Sequence, residues 1–290
     1  MRRVRIFSIF ILIVALAVFG AYQFYEFRTQ DYVGPRITMD SESVTVSCAA
    51  GDDELLAGVT AEDSRDGDVT SSLMVESKSN FIEKGRRNIT IAAFDENSHV
   101  TKASREVIYS DYQSPVFSMD RPLKFPVNTQ DILVGVTVQD MLDGDLTSQV
   151  KISGEYSINV SEAGEYPMVF TVANSAGDVV SLPVTVEIYN VQDEAAKPQI
   201  GLSQYLIYAG ASAPVNPWDF VQTVEMEGAV YTRTESGALQ SPEGEMITED
   251  MVAIANPVDY NTPGTYEITY QITDADGRTG TVRLVTVVNG

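Results

Sequence analysis

The feature of this sequence that most limits its fold is a set of landmarks that recurs in three copies along the chain. Each copy opens with a proline two residues before an apolar residue, at Pro35, Pro115 and Pro198. Polar stretches typical of linkers come before these prolines. The stretches cover residues 29–34, 110–114 and 190–197. Such repetition predicts one structural unit of about 75 to 95 residues that is built three times.

Each copy also closes on a segment in which apolar and polar residues alternate. In the third copy the alternation covers residues 266–272 and leads into a turn from Asp274 to Gly277. The second copy keeps this register, whereas the first carries Arg87 in place of the leading tyrosine and Ser98 in place of the turn glycine. Alternation with period two indicates a half-buried strand. Short strands separated by Gly, Pro and Asp, without a long amphipathic helix, predict antiparallel β-sandwiches.

The N-terminal segment differs from the three copies. Three arginines precede an apolar stretch from Ile6 to Phe27. As a helix rising about 1.5 Å per residue, this stretch would span about 33 Å, close to the thickness of a bilayer core. Aromatic residues that continue past Gly20 favour a retained anchor over a cleaved signal peptide. Positive charge before the stretch predicts a cytoplasmic N-terminus, with the rest of the chain outside the cell membrane.

Two segments share the pattern Val-Thr-x-x-Asp-x-x-Asp-Gly-Asp-x-Thr, at residues 59–70 and 136–147. With the Pro-Gly-Thr-Tyr strand at residues 263–266 and the Asp-Ala-Asp-Gly turn, this pattern resembles the bacterial immunoglobulin-like domains of Gram-positive surface proteins and some insecticidal crystal proteins. The resemblance covers nearly all of residues 35–290. It implies an immunoglobulin-like fold. Spacers, stalks, adhesive modules and accessory parts of enzymes all use such domains, and fold alone does not decide among them.

We therefore expect an all-β protein with three tandem immunoglobulin-like β-sandwich domains after one N-terminal transmembrane helix. The basic cytoplasmic residues and the signal anchor take residues 1–28. The domains take residues 29–110, 111–190 and 191–290. The third domain is divergent, because residues 217–221 stand where its Asp-Gly-Asp segment is expected.

The Asp-Gly-Asp segment of the first copy carries candidate calcium ligands. Asp63, Asp66 and Asp68 fall within six residues, and Asp95 ends a strand whose loop could reach the same pole of the sandwich. Calcium binds about 6 to 8 oxygen ligands in flexible geometry. The alternative is a plain turn, in which glycine supplies a positive φ and the carboxylates accept local backbone N–H groups. The sequence leaves both readings open.

The second copy offers a weaker version of the same set. Asp140, Asp143 and Asp145 correspond to the three aspartates of the first copy, while neutral Asn174 takes the position of Asp95. Loss of a carboxylate lowers the affinity of an oxygen site for calcium. We therefore expect the first copy to bind calcium better than the second, if either binds it.

The third copy carries the candidate partner-binding residues. Trp218, Phe220, Tyr231 and Tyr260 accompany its non-repeat segment, which extends over residues 225–262. Exposed aromatic rings supply flat apolar contacts for a glycan or a protein partner. The alternative is that they fill the core of the third sandwich.

Charge and missing motifs exclude several classes of function. The formal net charge is −22, and such an acidic surface repels nucleic acid. Cys48, the only cysteine, is expected in a buried strand, and His99, the only histidine, in a solvated turn. The sequence shows no nucleophile elbow, phosphate-binding loop or histidine-based metal spacing, so we do not expect an enzyme.

Two classes of function remain. The first is a cell-surface binding or adhesion module, in which the first two domains form a stalk and the third binds a surface protein or glycan. The second is a structural spacer, or an accessory subunit of an envelope complex. Exposure of the aromatic residues around Trp218 is expected to separate them.

Overall fold

The computed structural model describes residues 2–29, 33–154 and 158–289. Part of the first expected linker, residues 30–32, lies outside the described residues. Strands take 46% of the chain and helix 16%, which confirms an all-β protein with one N-terminal apolar helix. The chain forms two compact units, Met1–Asp111 and Tyr112–Gly290. The boundaries expected between three domains stay a prediction.

Helix α1 (Arg2–Thr29) has apolar side chains on every side. Within its stretch Arg5–Arg28, an 18-residue window has a mean hydropathy of 2.3, and none of that window is buried in the described structure. A helix without a polar face has no side suited to water. By length and composition, α1 could therefore cross a membrane.

Seven strands form two sheets in the described part of the first unit. The strands are β1 (Arg36–Met39), β2 (Ser43–Val46), β3 (Val59–Asp63), β4 (Gly67–Asp68), β5 (Met74–Glu83), β6 (Arg86–Phe94) and β7 (Val100–Tyr109). The orders are β1-β3-β4 and β2-β7-β6-β5. Only β2 and β7 pair in parallel among these strands. A short helix, α2 (Asp52–Leu55), follows β2, and Cys48 lies half-buried in a turn rather than in a strand.

Alternate residues of β6 face the core of the first unit, as the period-two pattern predicts. Ile89 and Ile91 are at most 1% exposed. Burial of each such side chain contributes about 1.5–3 kcal/mol. Arg87, in the same register, is also buried. Its guanidinium lies 5.1 Å from the centre of the Tyr109 ring, and Nε donates to the Tyr109 hydroxyl at 3.1 Å. Tyr109 thus gives the buried charge a partner.

The described part of the second unit contains sixteen strands. They are β8 (Val116–Met119), β9 (Lys124–Pro126), β10 (Val136–Asp140), β11 (Gly144–Asp145), β12 (Lys151–Gly154), β13 (Gly164–Ala173), β14 (Val179–Tyr189), β15 (Gln199–Leu202), β16 (Leu206–Ala209), β17 (Val221–Met226), β18 (Ala229–Arg233), β19 (Leu239–Gln240), β20 (Met246–Ile247), β21 (Ala253–Ala255), β22 (Gly264–Thr273) and β23 (Thr279–Val288). A short helix, α3 (Val191–Glu194), follows β14.

These strands form two pairs of sheets. The second copy has the orders β11-β10-β8 and β12-β13-β14-β9. The third copy has the orders β15-β17-β18-β19-β20 and β16-β23-β22-β21. The β9–β14 and β16–β23 pairs are parallel, which repeats the β2–β7 pairing of the first unit. The same four-stranded sheet therefore recurs in all three copies, whereas the second sheet has three strands in the first two copies and five in the third.

The turns after β6, β13 and β22 support the same register. Gly177 and Gly277 have a φ of 80° each, and Ser98 occupies the equivalent position with a φ of 67°. This left-handed conformation favours glycine, so a serine there carries some strain. The shared geometry shows that the turn is retained in the first copy although its glycine is not.

The two sheet pairs of the second unit pack against each other. Leu206 and Val285 of the third copy belong to the same buried cluster as Phe117 and Leu123 of the second. The Phe117 backbone N–H donates to the Tyr208 hydroxyl at 3.0 Å. Burial of apolar side chains from both copies stabilises this arrangement. The second and third copies therefore share a buried cluster in addition to the segment that connects them.

Charged residues join the same two copies. Arg283 pairs with Glu165, and its guanidinium nitrogens lie 3.6 Å from Glu187 and 3.8 Å from Glu267. Glu267 also accepts from the Thr185 backbone N–H at 2.6 Å. Arg283 reaches all three carboxylates, and its side chain is 16% exposed. Lys124 also pairs with Glu187, at 3.2 Å.

Candidate functional sites

The loops that follow β3 and β6 meet at one pole of the first unit, as the sequence predicts. Asp63 closes β3 and is 3% exposed. Its Oδ1 accepts from the backbone N–H groups of Arg65 at 2.7 Å and Asp66 at 3.1 Å. Asp66 Oδ2 accepts in turn from the Glu96 N–H at 2.9 Å, in the loop after β6. Asp63 therefore stabilises the turn after β3, and Asp66 connects this turn to the loop after β6 through a hydrogen bond.

Asp95 lies in that second loop with its side chain fully buried. Its Oδ1 accepts from the His99 backbone N–H at 2.8 Å, and its Oδ2 lies 2.7 Å from His99 Nδ1. His99 lies in this turn with its side chain 34% exposed, as expected, and its ring is in addition a partner of Asp95. The backbone N–H groups of Arg65 and Asp66 lower the pKa of Asp63 below its usual value, while burial and the charge of Asp95 act in the opposite direction.

Asp68 does not join this group. In the β3–β4 ladder, Asp68 stands opposite exposed Glu62, whereas buried Asp63 stands opposite Gly67. Neighbouring positions of a strand point to opposite faces. The Asp68 carboxylate accepts from the Thr70 N–H at 2.9 Å, and its pKa is lowered by the bonds from the Thr70 hydroxyl and N–H. Asp145 makes the same bond to Thr147, also at 2.9 Å, so both are turn residues.

The second copy brings Asp140 and Asn174 together. Asp140 Oδ1 accepts from two backbone N–H groups, as Asp63 does, and its Oδ2 accepts from Asn174 Nδ2 at 3.1 Å. Asn174 Nδ2 also donates to the Tyr112 hydroxyl at 2.8 Å. Asp143 is exposed and bonds the hydroxyl and N–H of Ser175. At the pole of the second copy, the carboxylates of Asp140 and Asp143 thus accept hydrogen bonds from neutral amide, hydroxyl and backbone N–H donors.

The equivalent position in the third copy is Asp274, which the sequence indicated only as part of a turn. Arg278 Nε donates to its buried carboxylate at 2.7 Å. The same place in the fold is thus taken by Asp95, Asn174 or Asp274, each with different partners. The residue four positions further along the chain is His99, Asp178 or Arg278, respectively. Comparison of the copies with one another would have revealed this position from the sequence.

In the part of the chain that the structure describes, no group of three or more His, Cys, Asp or Glu side chains is arranged to hold a metal ion. The calcium assignments for the first and second copies stay predictions. The first copy brings Asp63, Asp66 and Asp95 to one pole but not Asp68, and the second brings Asp140 and Asp143 to one pole but not Asp145.

The aromatic residues of the third copy do not form an exposed platform. Trp218 and Tyr231 are each 6% exposed and belong to the core of this copy. Trp218 Nε1 donates to the Gly237 carbonyl at 3.0 Å, and the Arg233 guanidinium lies 5.5 Å from the centre of its ring. Phe220 and Tyr260 are half-buried, and Phe220 packs against the same core. The interpretation as a contact surface is corrected for Trp218 and Tyr231, whose rings lie in the core, and stays a prediction for Phe220 and Tyr260.

Comparison with known proteins supports the family resemblance. Residues 221–287 match the family model described as bacterial surface protein, Ig-like domain. Pesticidal crystal protein Cry22Aa of Bacillus thuringiensis is 24% identical over 227 residues, which cover 75% of this chain and 28% of that protein. An uncharacterized 81.3 kDa protein of Acholeplasma phage L2 is 25% identical over 160 residues, which cover 55% of this chain and 19% of that protein. This chain spans less than a third of either relative.

Solved structures of low identity were also found. The lipoprotein BT2262 from Bacteroides thetaiotaomicron has 14% identity and a TM-score of 0.24, over 59% of this chain and 98% of that chain. The protocadherin GammaB4 extracellular domain has 12% identity and a TM-score of 0.19, over 90% of this chain and 50% of that chain. The family match and the Cry22Aa relative confirm the resemblance to bacterial immunoglobulin-like surface domains that the motifs indicated.

Proposed function

We propose that this chain is a non-catalytic, membrane-tethered protein that displays immunoglobulin-like sheets on the cell surface and binds a surface protein or glycan there. The observation that carries the proposal is α1, whose apolar side chains are exposed on every side. The match of residues 221–287 to a bacterial surface family supports it. A helix of this length and composition is stable in a bilayer and poorly suited to water. The acidic sheets are suited to an aqueous surface.

A binding role is favoured by an apolar patch on the outer face of the first unit. Phe94 and Val100 stand opposite each other in the β6–β7 ladder and are 44% and 56% exposed. Met74, paired with Ala92 in the next strand, is 49% exposed. Thr273 and Thr279 take the equivalent positions in the third copy. Exposed apolar clusters on a soluble surface are typical of contact sites for partners.

The structural spacer remains the second candidate. Burial of Trp218 and Tyr231 favours it, since it removes the aromatic contact surface that a distal binding site would have used. The packing of the second and third copies into one unit also suits a load-bearing or spacing role. Binding through the patch of Met74, Phe94 and Val100 is the property that distinguishes the two functions.

The substitution Val100→Asp tests binding through this patch. We expect it to weaken capture of a partner from envelope extracts by at least about tenfold, because a charge would be placed in an apolar contact. The experiment uses the full chain in nanodiscs and follows captured protein and glycan against chain concentration. The melting temperature should change little, because Val100 is exposed.

The matched control is Val179→Asp. Val179 has the equivalent place at the start of β14 and is 57% exposed, but its cross-strand partner is Ala173. Capture by this variant should equal that of the unsubstituted chain. Absence of any specific capture by the unsubstituted chain, or equal losses in both variants, would contradict binding through the patch and favour the spacer.

A further inference from the structure

A buried carboxylate oxygen at the pole of the first unit has no hydrogen-bond partner. This atom is Oδ2 of Asp63, whose residue is 3% exposed. The equivalent oxygen in the second copy, Asp140 Oδ2, accepts from the Asn174 amide at 3.1 Å. The first and second copies therefore differ at this pole. The second copy has a donor for this oxygen, and the first does not.

The difference follows from one residue type. Asp95 stands where the second copy has Asn174, and an ionised carboxylate carries no N–H to donate. At the position from which the second copy donates an amide N–H, the first unit thus has a carboxylate whose two oxygens are bonded to His99. A buried carboxylate without a compensating donor or cation is costly.

We propose that Asp63 and Asp95 together bind one calcium ion at the pole of the first unit. Carboxylate oxygens are the ligands that Ca²⁺ prefers. The ion would compensate Oδ2 of Asp63, as the Asn174 amide compensates Oδ2 of Asp140 in the second copy. Asp66 borders the site through its bond to the Glu96 N–H. Asp68 lies on the other face of the ribbon and takes no part.

The affinity should be that of a weak extracellular site. Since no three acidic or histidine side chains of the described residues stand in a metal-holding arrangement, water and main-chain oxygens must complete the coordination. Sites with few carboxylates bind Ca²⁺ with dissociation constants of about 10⁻⁴–10⁻³ M.

The test is a calorimetric Ca²⁺ titration of the full chain in detergent micelles after removal of metal with a chelator. The unsubstituted chain should bind one Ca²⁺ per chain. Asp95→Asn should stay folded in chelator, because its new amide can donate to Asp63 as Asn174 does to Asp140, and should weaken Ca²⁺ binding by at least about tenfold. Melting temperatures with and without Ca²⁺ report folding and binding independently.

Asp68→Asn is the control, since it removes an equal charge from the same loop on the opposite face. Its affinity for Ca²⁺ should stay within about threefold of the unsubstituted chain, the loss expected of long-range charge alone. The proposal is overturned if the unsubstituted chain takes up no Ca²⁺, or if Asp68→Asn and Asp95→Asn weaken binding equally. Neither result would affect the proposed surface function, which does not depend on calcium.

Discussion

Replacement of Trp218 with alanine is expected to lower the stability of the second unit by about 3 to 5 kcal/mol. The indole is 6% exposed, packs within the core of the third copy and donates through Nε1 to the Gly237 carbonyl at 3.0 Å. Removal of the indole would leave a cavity and an unpaired Gly237 carbonyl, and the Arg233 guanidinium would lose its contact with the aromatic ring. Denaturant unfolding of the full chain in micelles, followed by circular dichroism, measures this loss.

Met246→Ala provides the control for this substitution. Met246 lies on β20 of the same copy and is 49% exposed, so its truncation should change stability by less than about 0.5 kcal/mol. If Trp218→Ala were as mild as this control, the ring would have to be exposed. The aromatic contact surface of the third copy would then have to be reconsidered.

The second large effect is expected for Arg283→Met, at about 2 to 3 kcal/mol of lost stability in the second unit. Removal of one partner from a buried ionic group leaves its opposite charges uncompensated, at a cost of about 3 to 5 kcal/mol when burial is complete. The penalty is reduced because Glu187 and Glu267 are 19% and 22% exposed and because Lys124 still pairs with Glu187 at 3.2 Å. Methionine retains much of the apolar stem, so the change tests charge more than volume. Chemical denaturation of the full chain measures it.

Arg121→Met is the matched control in the same unit. Arg121 is 54% exposed and pairs with Asp120, which is 67% exposed, and such surface pairs contribute at most about 1 kcal/mol. Stability losses of equal size for Arg121→Met and Arg283→Met would show that Arg283 is not essential to the packing of the second and third copies.

Much of the fold could be predicted from the sequence, because burial in a strand has a period that the residues display directly. Ile268, Tyr270 and Ile272 are buried as their alternation predicts, and Ser98 adopts the turn conformation of the glycines in the other copies. The side-by-side packing of the second and third copies could not be predicted. It depends on which outer faces of the sheets meet, and residues such as Leu206 and Val285 look like ordinary core residues in the sequence.

The candidate sites were predictable only in part. That the loops carrying Asp63 and Asp95 meet follows from strand order, but the exclusion of Asp68 depends on which face of the β3–β4 ribbon it occupies. A one-residue change of register reverses that face. Trp218 illustrates the opposite problem, since an aromatic residue suits both a core and a contact surface, and only its surroundings decide between them.

The measurement that tests the central claim most directly is protease digestion of intact producing cells, with an epitope fused at the C-terminus and mass spectrometry of the membrane fraction. If α1 anchors the sheets outside, the protease removes the epitope from unbroken cells, and untreated membranes contain a chain that retains residues 6–27. An epitope that stays protected until the cells are lysed, or a mature N-terminus near Ala21, would contradict the account.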